Sequence, residues 1–220
     1  MSILMINGSP KGKNGNTELF IRHFAAGIKA PYEICYAAKT GSAQIAELIK
    51  QFDTVILAMP LYVHAMPGIV MKIIEQMEPA PDGGRAMGFL VQSGFMESAQ
   101  SKYLEQYLSS LAKRFNYKYL GTVIKGGSAG VSMMPEKMNR GLFLHLRALG
   151  ERFSLDGTFD PEVIKVLSKP VTLSKKKCRM LQTMSRIGLG DRMFWNDMLK
   201  RNKAFPNRFD RPFERVTGHE

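Results

Sequence analysis

The chain has 220 residues, 45% hydrophobic and 23% charged, an ordinary composition for a globular protein with one substantial domain and an extension. Its net charge of +12 is uneven: residues 1–170 hold 19 Lys and Arg against 14 Asp and Glu, and residues 171–220 hold 12 against 5. The two cysteines, Cys35 and Cys178, stand too far apart in sequence to suggest a disulfide framework or a Cys-x-x-Cys metal site, so no metal is expected.

A short apolar run at 2–7 predicts a strand, with no basic leader before it. A turn rich in glycine, lysine, serine and asparagine follows, and residues 17–29 then carry Leu19, Phe20, Phe24 and Ile28 at helical spacing. A helix start leaves backbone N–H groups unpaired at the positive end of the helix dipole. That makes this strand–loop–helix start a candidate phosphate site. Gly8, Gly12 and Gly15 let the backbone approach an anion. Ser9, Asn16 and Thr17 add side-chain donors, and Lys11 or Lys13 adds charge. The plain alternative is a β–α turn that binds nothing, with Asn16 or Thr17 capping the helix. Gly15-Asn16-Thr17 lacks the Walker lysine, and Gly8, Gly12 and Gly15 miss the G-x-G-x-x-G spacing. A lone terminal phosphate therefore fits the loop better than a pyrophosphate.

Further strands are expected at 32–37, 54–59, 86–92 and 117–124, and helices at 42–51, 67–77, 98–115, 136–153 and 162–167. This alternation argues for an α/β fold, a doubly wound five-stranded parallel sheet with helices on both faces. The run at 55–59 is almost continuously apolar, as a central strand buried on both sides requires. Cys35 is expected to pack as a small hydrophobe in the second strand. This domain is expected to span 1–169.

Residues 170–220 change character and read as a basic helical extension. Lys175, Lys176, Lys177 and Arg179 lead into expected helices at 180–189 and 191–203, then a loop-like end through Phe205, Pro206, Phe209, Pro212 and Phe213. Met193, Phe194, Trp195, Met198 and Leu199 supply an apolar face. The expectation is a dimer arm packing across a second subunit. An anionic membrane surface is the alternative and a solvated basic surface the plain reading; nucleic acid is not expected. No apolar run approaches the roughly 18–20 residues of a membrane span, and the cytoplasm is the expected compartment.

Three loops follow the central strands, and a doubly wound sheet opens them onto one edge. The first is the phosphate-type loop. The second, Pro60-Leu61-Tyr62-Val63-His64-Ala65-Met66-Pro67-Gly68, sets an aromatic side chain and backbone polar groups between prolines, which suits a flat heteroaromatic ring. Tyr62 also reads as a half-buried packing residue, and His64 as a helix-start residue rather than a base. The third, Ser93-Gly94-Phe95-Met96-Glu97, lets a ring edge come close at Gly94. The glycine-rich stretch 126–130 is a flexible connection or a pocket wall.

Ile6-Asn7-Gly8-Ser9-Pro10-Lys11 with Gly15-Asn16-Thr17, then Pro60-Leu61-Tyr62 with Met66-Pro67-Gly68 and Lys72, resembles the flavodoxin-like NAD(P)H-dependent FMN reductases and oxidoreductases over about residues 1–150. The resemblance implies a flavodoxin-like fold and bound FMN. Ser9, Lys11, Asn16 and Thr17 would then hold the phosphate. Pro60, Leu61, Tyr62, Val63 and His64, with Ser93, Gly94 and Phe95, would flank the isoalloxazine. It further implies hydride transfer from NADH or NADPH through flavin-borne chemistry, without a catalytic side chain, to a small electron acceptor such as a quinone, free flavin, nitro or azo compound. A homodimer is expected. Many relatives carry a cysteine cluster after the second strand; residues 36–41 lack one, so an iron–sulfur centre is not expected. The rival readings are an electron carrier without its own NAD(P)H activity and a binding scaffold with a basic tail.

Overall fold

Short apolar runs bounded by turn residues become five strands: β1 (Ile3–Asn7), β2 (Tyr32–Tyr36), β3 (Thr54–Pro60), β4 (Ala86–Gln92) and β5 (Lys118–Lys125). The computed structural model describes residues 1–81, 83–190 and 195–211. All four strand pairings are parallel, in the order β2-β1-β3-β4-β5. This is the doubly wound, flavodoxin-like order, and its switch point lies between β1 and β3. β3 is buried along its whole length, as its unbroken apolar run demands. Cys35 is buried in β2.

The pleat sends alternate residues to opposite faces. Leu4, Ile6, Val55 and Leu57 pack with α2 (Ser42–Ile49), α3 (Gly68–Glu75) and α4 (Lys102–Arg114). Ile3, Met5, Ile56 and Ala58 pack with α1 (Asn16–Ala25), α5 (Glu136–Asp156) and α6 (Pro161–Leu167). Each fully buried Leu, Ile or Phe contributes roughly 1.5–3 kcal/mol.

Strand β4 spans the predicted residues, and the other elements shift at their ends. Helix α1 stops at Ala25, because Gly27 lies against α5 where a Cβ would strike the Arg147 carbonyl. The helix expected at 98–115 opens as a 3₁₀ turn, Ser98–Ser101, and becomes α-helical at Lys102. There the N–H groups of Ser98 and Ala99 donate to the carbonyls of Pro170 and Val171, each at 3.1 Å.

The chain divides into two compact units, Met1–Thr172 and Leu173–Glu220. In the second, α7 spans Lys175–Arg186 and α8 spans Asn196–Arg201. Helix α7 begins five residues before the expected start. Three lysines at a helix N-terminus oppose the dipole, but the Ser174 hydroxyl accepts the Lys177 N–H at 3.3 Å and caps the turn. The expected apolar residues Met193 and Phe194, and Pro212 and Phe213 of the tail, lie outside the described residues. Among the described residues no helix is long and apolar enough to cross a membrane.

One histidine ties α1 to α5. The His23 ring stacks on Phe143 at 3.8 Å with 12° between planes. Burial lowers its pKa, Glu136 opposes the shift and Arg22 adds to it. A depressed folded-state pKa favours the neutral ring. The stabilisation is therefore present above the ordinary value of about 6.5 and is lost as pH falls through the lowered one. His23→Phe keeps the stack and removes the proton. Its urea midpoint is expected to change less than that of the wild type between about pH 7.5 and about pH 5.5. Equal pH dependence of the two proteins would remove His23 from the account.

Candidate functional site

At the end of β1 the buried Asn7 side chain shapes the first loop. Its Oδ1 accepts the Ser9 N–H at 3.0 Å, and its Nδ2 donates to the Glu18 carboxylate at 3.1 Å and the Gly12 carbonyl at 3.3 Å. Ser9 Oγ accepts the Lys11 N–H at 3.2 Å. Gly12 adopts φ +52°, a conformation that costs glycine little. Gly8 lies so close to α3 that a Cβ there would stand 2.5 Å from Val70. No side chain caps α1, whose N-cap is Gly15. The Glu18 N–H turns back to the Gly15 carbonyl at 3.1 Å, and the N–H groups of Asn16 and Thr17 are left for water or a ligand.

Beneath this loop, Glu18 is buried. Its carboxylate accepts from Arg22 Nε at 3.1 Å and from the Tyr36 hydroxyl at 3.2 Å, besides Asn7. Burial, then Glu18, raises the Tyr36 pKa. The Lys13 ammonium sits 5.2 Å over the Tyr36 ring.

The second loop is anchored by Leu61, whose N–H donates to the Gln92 carbonyl at 2.8 Å. Tyr62 and Ala65 exchange backbone bonds of 3.1 and 3.0 Å around a two-residue tip, Val63-His64. Both tip residues have positive φ, 50° and 64°. Such a tip normally takes Asn-Gly, and a β-branched residue there is strained by about 1–3 kcal/mol. Val63 is 88% exposed. The His64 ring stacks on Phe95 at 4.5 Å and so joins the second loop to the third.

The third loop and a fourth, residues 126–133 after β5, share a buried polar seam. Ser128 Oγ lies 2.5 Å from Gln92 Oε1 and 2.7 Å from the Ser93 carbonyl, and its one hydrogen serves either. Gln92 Nε2 reaches Thr17 Oγ1 at 3.5 Å. Asn16 closes the ring of loops. Its Nδ2 donates to the carbonyls of Ser128 at 2.7 Å and Ala129 at 3.3 Å, and its Oδ1 accepts the Ser132 N–H at 3.0 Å.

Together the loops enclose a cleft of about 670 Å³ at the carboxyl ends of the strands. Ser9, Lys11 and Asn16 line it from the first loop, Pro60, Leu61, Tyr62 and Val63 from the second, and Ser93, Gly94 and Phe95 from the third. Thr17 and His64 do not line it: Thr17 turns beneath toward Gln92, and His64 sits against Phe95. Asn16 is on the wall, but its amide is committed to the fourth loop. Gln92, Asn14, Ser132 and Met133 also line the cleft and were not among the predicted site residues. Of these only Gln92 carried a signal, a polar residue ending an apolar strand. Ala129 supplies the wall contribution of the glycine-rich stretch.

Among the described residues no carboxylate lines the cleft, and Lys11 brings positive charge to the helix end. Tyr62, Phe95, Leu61 and Val63 make the other end aromatic and apolar. Among the described residues no group of His, Cys, Asp and Glu is placed to hold a metal ion. The arrangement suits an anion joined to a flat ring.

No family model matches the sequence, and no curated protein matches it. Solved structures do match. An NAD(P)H:quinone oxidoreductase from Methanothermobacter marburgensis is 13% identical, with a TM-score of 0.56 over 70% of this chain and 96% of that one. An NADH:FMN oxidoreductase in its apo form is 15% identical, with a TM-score of 0.53 over 77% and 96%. An FMN-dependent NADH-azoreductase from Bacillus anthracis, in complex with FMN, is 14% identical, with a TM-score of 0.50 over 70% and 99%. The chain thus has the flavodoxin-like fold, shared with solved structures named as a quinone oxidoreductase, an NADH:FMN oxidoreductase and an FMN-dependent azoreductase.

Proposed function

We propose that the cleft binds FMN and that the protein is an NAD(P)H-dependent FMN oxidoreductase. It would deliver reducing equivalents to a small acceptor such as a quinone, free flavin, nitro or azo compound. The observation that carries this reading is one cleft, without a carboxylate among its described residues, with an uncapped helix start and Lys11 at one end and Tyr62 and Phe95 at the other. Its size fits a cofactor of this class. The names of the structural neighbours point the same way.

Bound FMN would supply hydride acceptance and release, so the chain needs no acid–base dyad. The protein's part is position and electrostatics. Lys11, Ser9 and the N–H groups around Gly15 would hold the phosphate. Tyr62 and Phe95 would pack the ring. The tip of the second loop keeps the Val63 and His64 peptide groups outside its own hydrogen bonds, where they can meet polar edges. We assign this function to residues 1–169 and treat 170–220 as a separate basic extension.

Cofactor released by heat and separated by chromatography is expected to be FMN. FAD as the main species, or no flavin uptake on reconstitution, overturns the proposal. Oxidation of NADH or NADPH by the purified protein separates an enzyme from an electron carrier. Tyr62→Ala should change the flavin spectrum and lower NAD(P)H oxidation at least about tenfold, yet shift stability by less than about 1 kcal/mol, because the side chain is half exposed. A variant with wild-type spectrum, affinity and turnover would make Tyr62 a packing residue only.

A further inference from the structure

The Leu173–Glu220 unit lacks a core among its described residues. Neither α7 nor α8 contains a buried residue. Met180 is 50% exposed, Ile187 62% and Phe209 78%. Met180, Leu181, Met184 and Ile187 follow the i, i+1, i+4, i+7 spacing of one helix face. Lys175, Arg179, Gln182 and Arg186 fall on the opposite face, Lys176 and Lys177 cap the apolar stripe one turn before Met180 and Leu181, and residues 175–186 contain no acid. A helix of this length with an unburied apolar face is marginal alone in water.

We propose that this unit docks on the surface of an anionic lipid bilayer, with α7 lying flat and its Met180–Ile187 face in the headgroup boundary. Charge selects the occupant. Residues 171–220 carry an excess of seven positive charges and residues 1–170 an excess of five, so a second copy offers this unit no charge complementarity. An anionic surface does, and a basic polar face opposite an apolar one is the pattern of helices that lie in the interface. The length of α7 permits lying on a bilayer and not crossing it. Cations are also held over rings here. Arg208 sits 4.2 Å from the Phe205 ring centroid and 4.6 Å from that of Phe209, and Lys200 5.2 Å from Phe205. Such pairs suit a boundary that is apolar on one side and charged on the other.

The test is co-sedimentation of the full chain with phosphatidylcholine vesicles containing phosphatidylserine, against phosphatidylcholine alone. Binding is expected only to the first and should weaken as salt is raised. Replacing Lys175, Lys176 and Lys177 by glutamine should weaken it about a hundredfold. The Met180→Ser, Ile187→Ser double variant should weaken it as well, at unchanged net charge. Trp195 is the chain's single tryptophan and lies in this unit, so its emission should shift to the blue on binding. These substitutions are on exposed positions, and circular dichroism confirms that each variant keeps its helix content. Equal binding to both vesicles, binding to neither, or sedimentation without a Trp195 shift overturns the proposal. So does a chain that light scattering shows to be a dimer split by the serine variant, or one that binds polyglutamate and no vesicle; these outcomes assign the face to a second subunit or to an acidic protein.

Discussion

Gly150→Ala is expected to destabilise the protein by about 3 kcal/mol, while Gly141→Ala in the same helix stabilises it by up to about 1 kcal/mol. Helix propensity alone favours alanine at both positions. Space decides otherwise at Gly150. A Cβ there would strike the Phe24 carbonyl oxygen and stand 3.2 Å from the Gly27 Cα. Gly27 is equally confined, with the Arg147 carbonyl and the Glu151 N–H where its own Cβ would go. These two glycines let the end of α1 touch α5. An alanine must push the helices apart, and the fully buried Phe24 and Phe153 rings beside the seam lose contact. A Cβ on Gly141 meets nothing within 4 Å. Urea unfolding midpoints at constant m-value measure both changes. Destabilisation of similar size at both sites, or stabilisation at both, would show that backbone crowding does not govern this seam. Because α1 also carries the first loop of the cleft, the Gly150 variant should take up flavin more weakly.

Periodicity made the sheet legible, and close packing was what it could not show. Apolar runs such as 55–59 and 86–91 admit few readings once helical segments separate them, and they placed three loops at one sheet edge. Two of the differences in helix extent share a cause. Ser98 and Ala99 are drawn away by the returning chain at Pro170 and Val171, and the lysine run at 175–177 is recruited into α7 by the Ser174 cap. Both are decided by one or two hydrogen bonds that leave no periodic trace. In the cleft, Ser132 and Met133 arrive through the hydrogen bonds of Asn16 across more than a hundred residues, which no local pattern encodes. Thr17 reads as a loop donor because it follows Gly15-Asn16. One step into the helix turns its hydroxyl under the loop. The Val63-His64 tip is hidden for a different reason, since neither residue type announces positive φ.

Glu18→Ala is expected to be more damaging than any substitution on the cleft wall, although Glu18 touches no wall residue's ligand-facing side. Its buried carboxylate receives Asn7 Nδ2, Arg22 Nε and the Tyr36 hydroxyl within 3.2 Å. Arg22 is mostly exposed and can turn to water, so its share is small. Asn7 cannot. Alanine leaves its amide with only the 3.3 Å bond to Gly12, and the same side chain's Oδ1 fixes Ser9. A buried donor left unsatisfied costs roughly 1–3 kcal/mol. With the lost Tyr36 bond, the variant should fall about 2–4 kcal/mol below wild type and take up flavin at least about tenfold more weakly. Glu18→Gln separates shape from charge. It keeps an acceptor for Asn7 and removes a negative charge that lies under the proposed phosphate loop. Flavin affinity in this variant should match or exceed wild type, with the stability loss held to about 1 kcal/mol. Asn7→Ala alone and with Glu18→Ala completes a double-mutant cycle, in which a coupling of at least about 0.5 kcal/mol is expected. Wild-type midpoint and flavin affinity in Glu18→Ala would mean that the loop holds its shape without this carboxylate. The proposed phosphate site would then rest on the backbone turn at Gly12 and Gly15 alone.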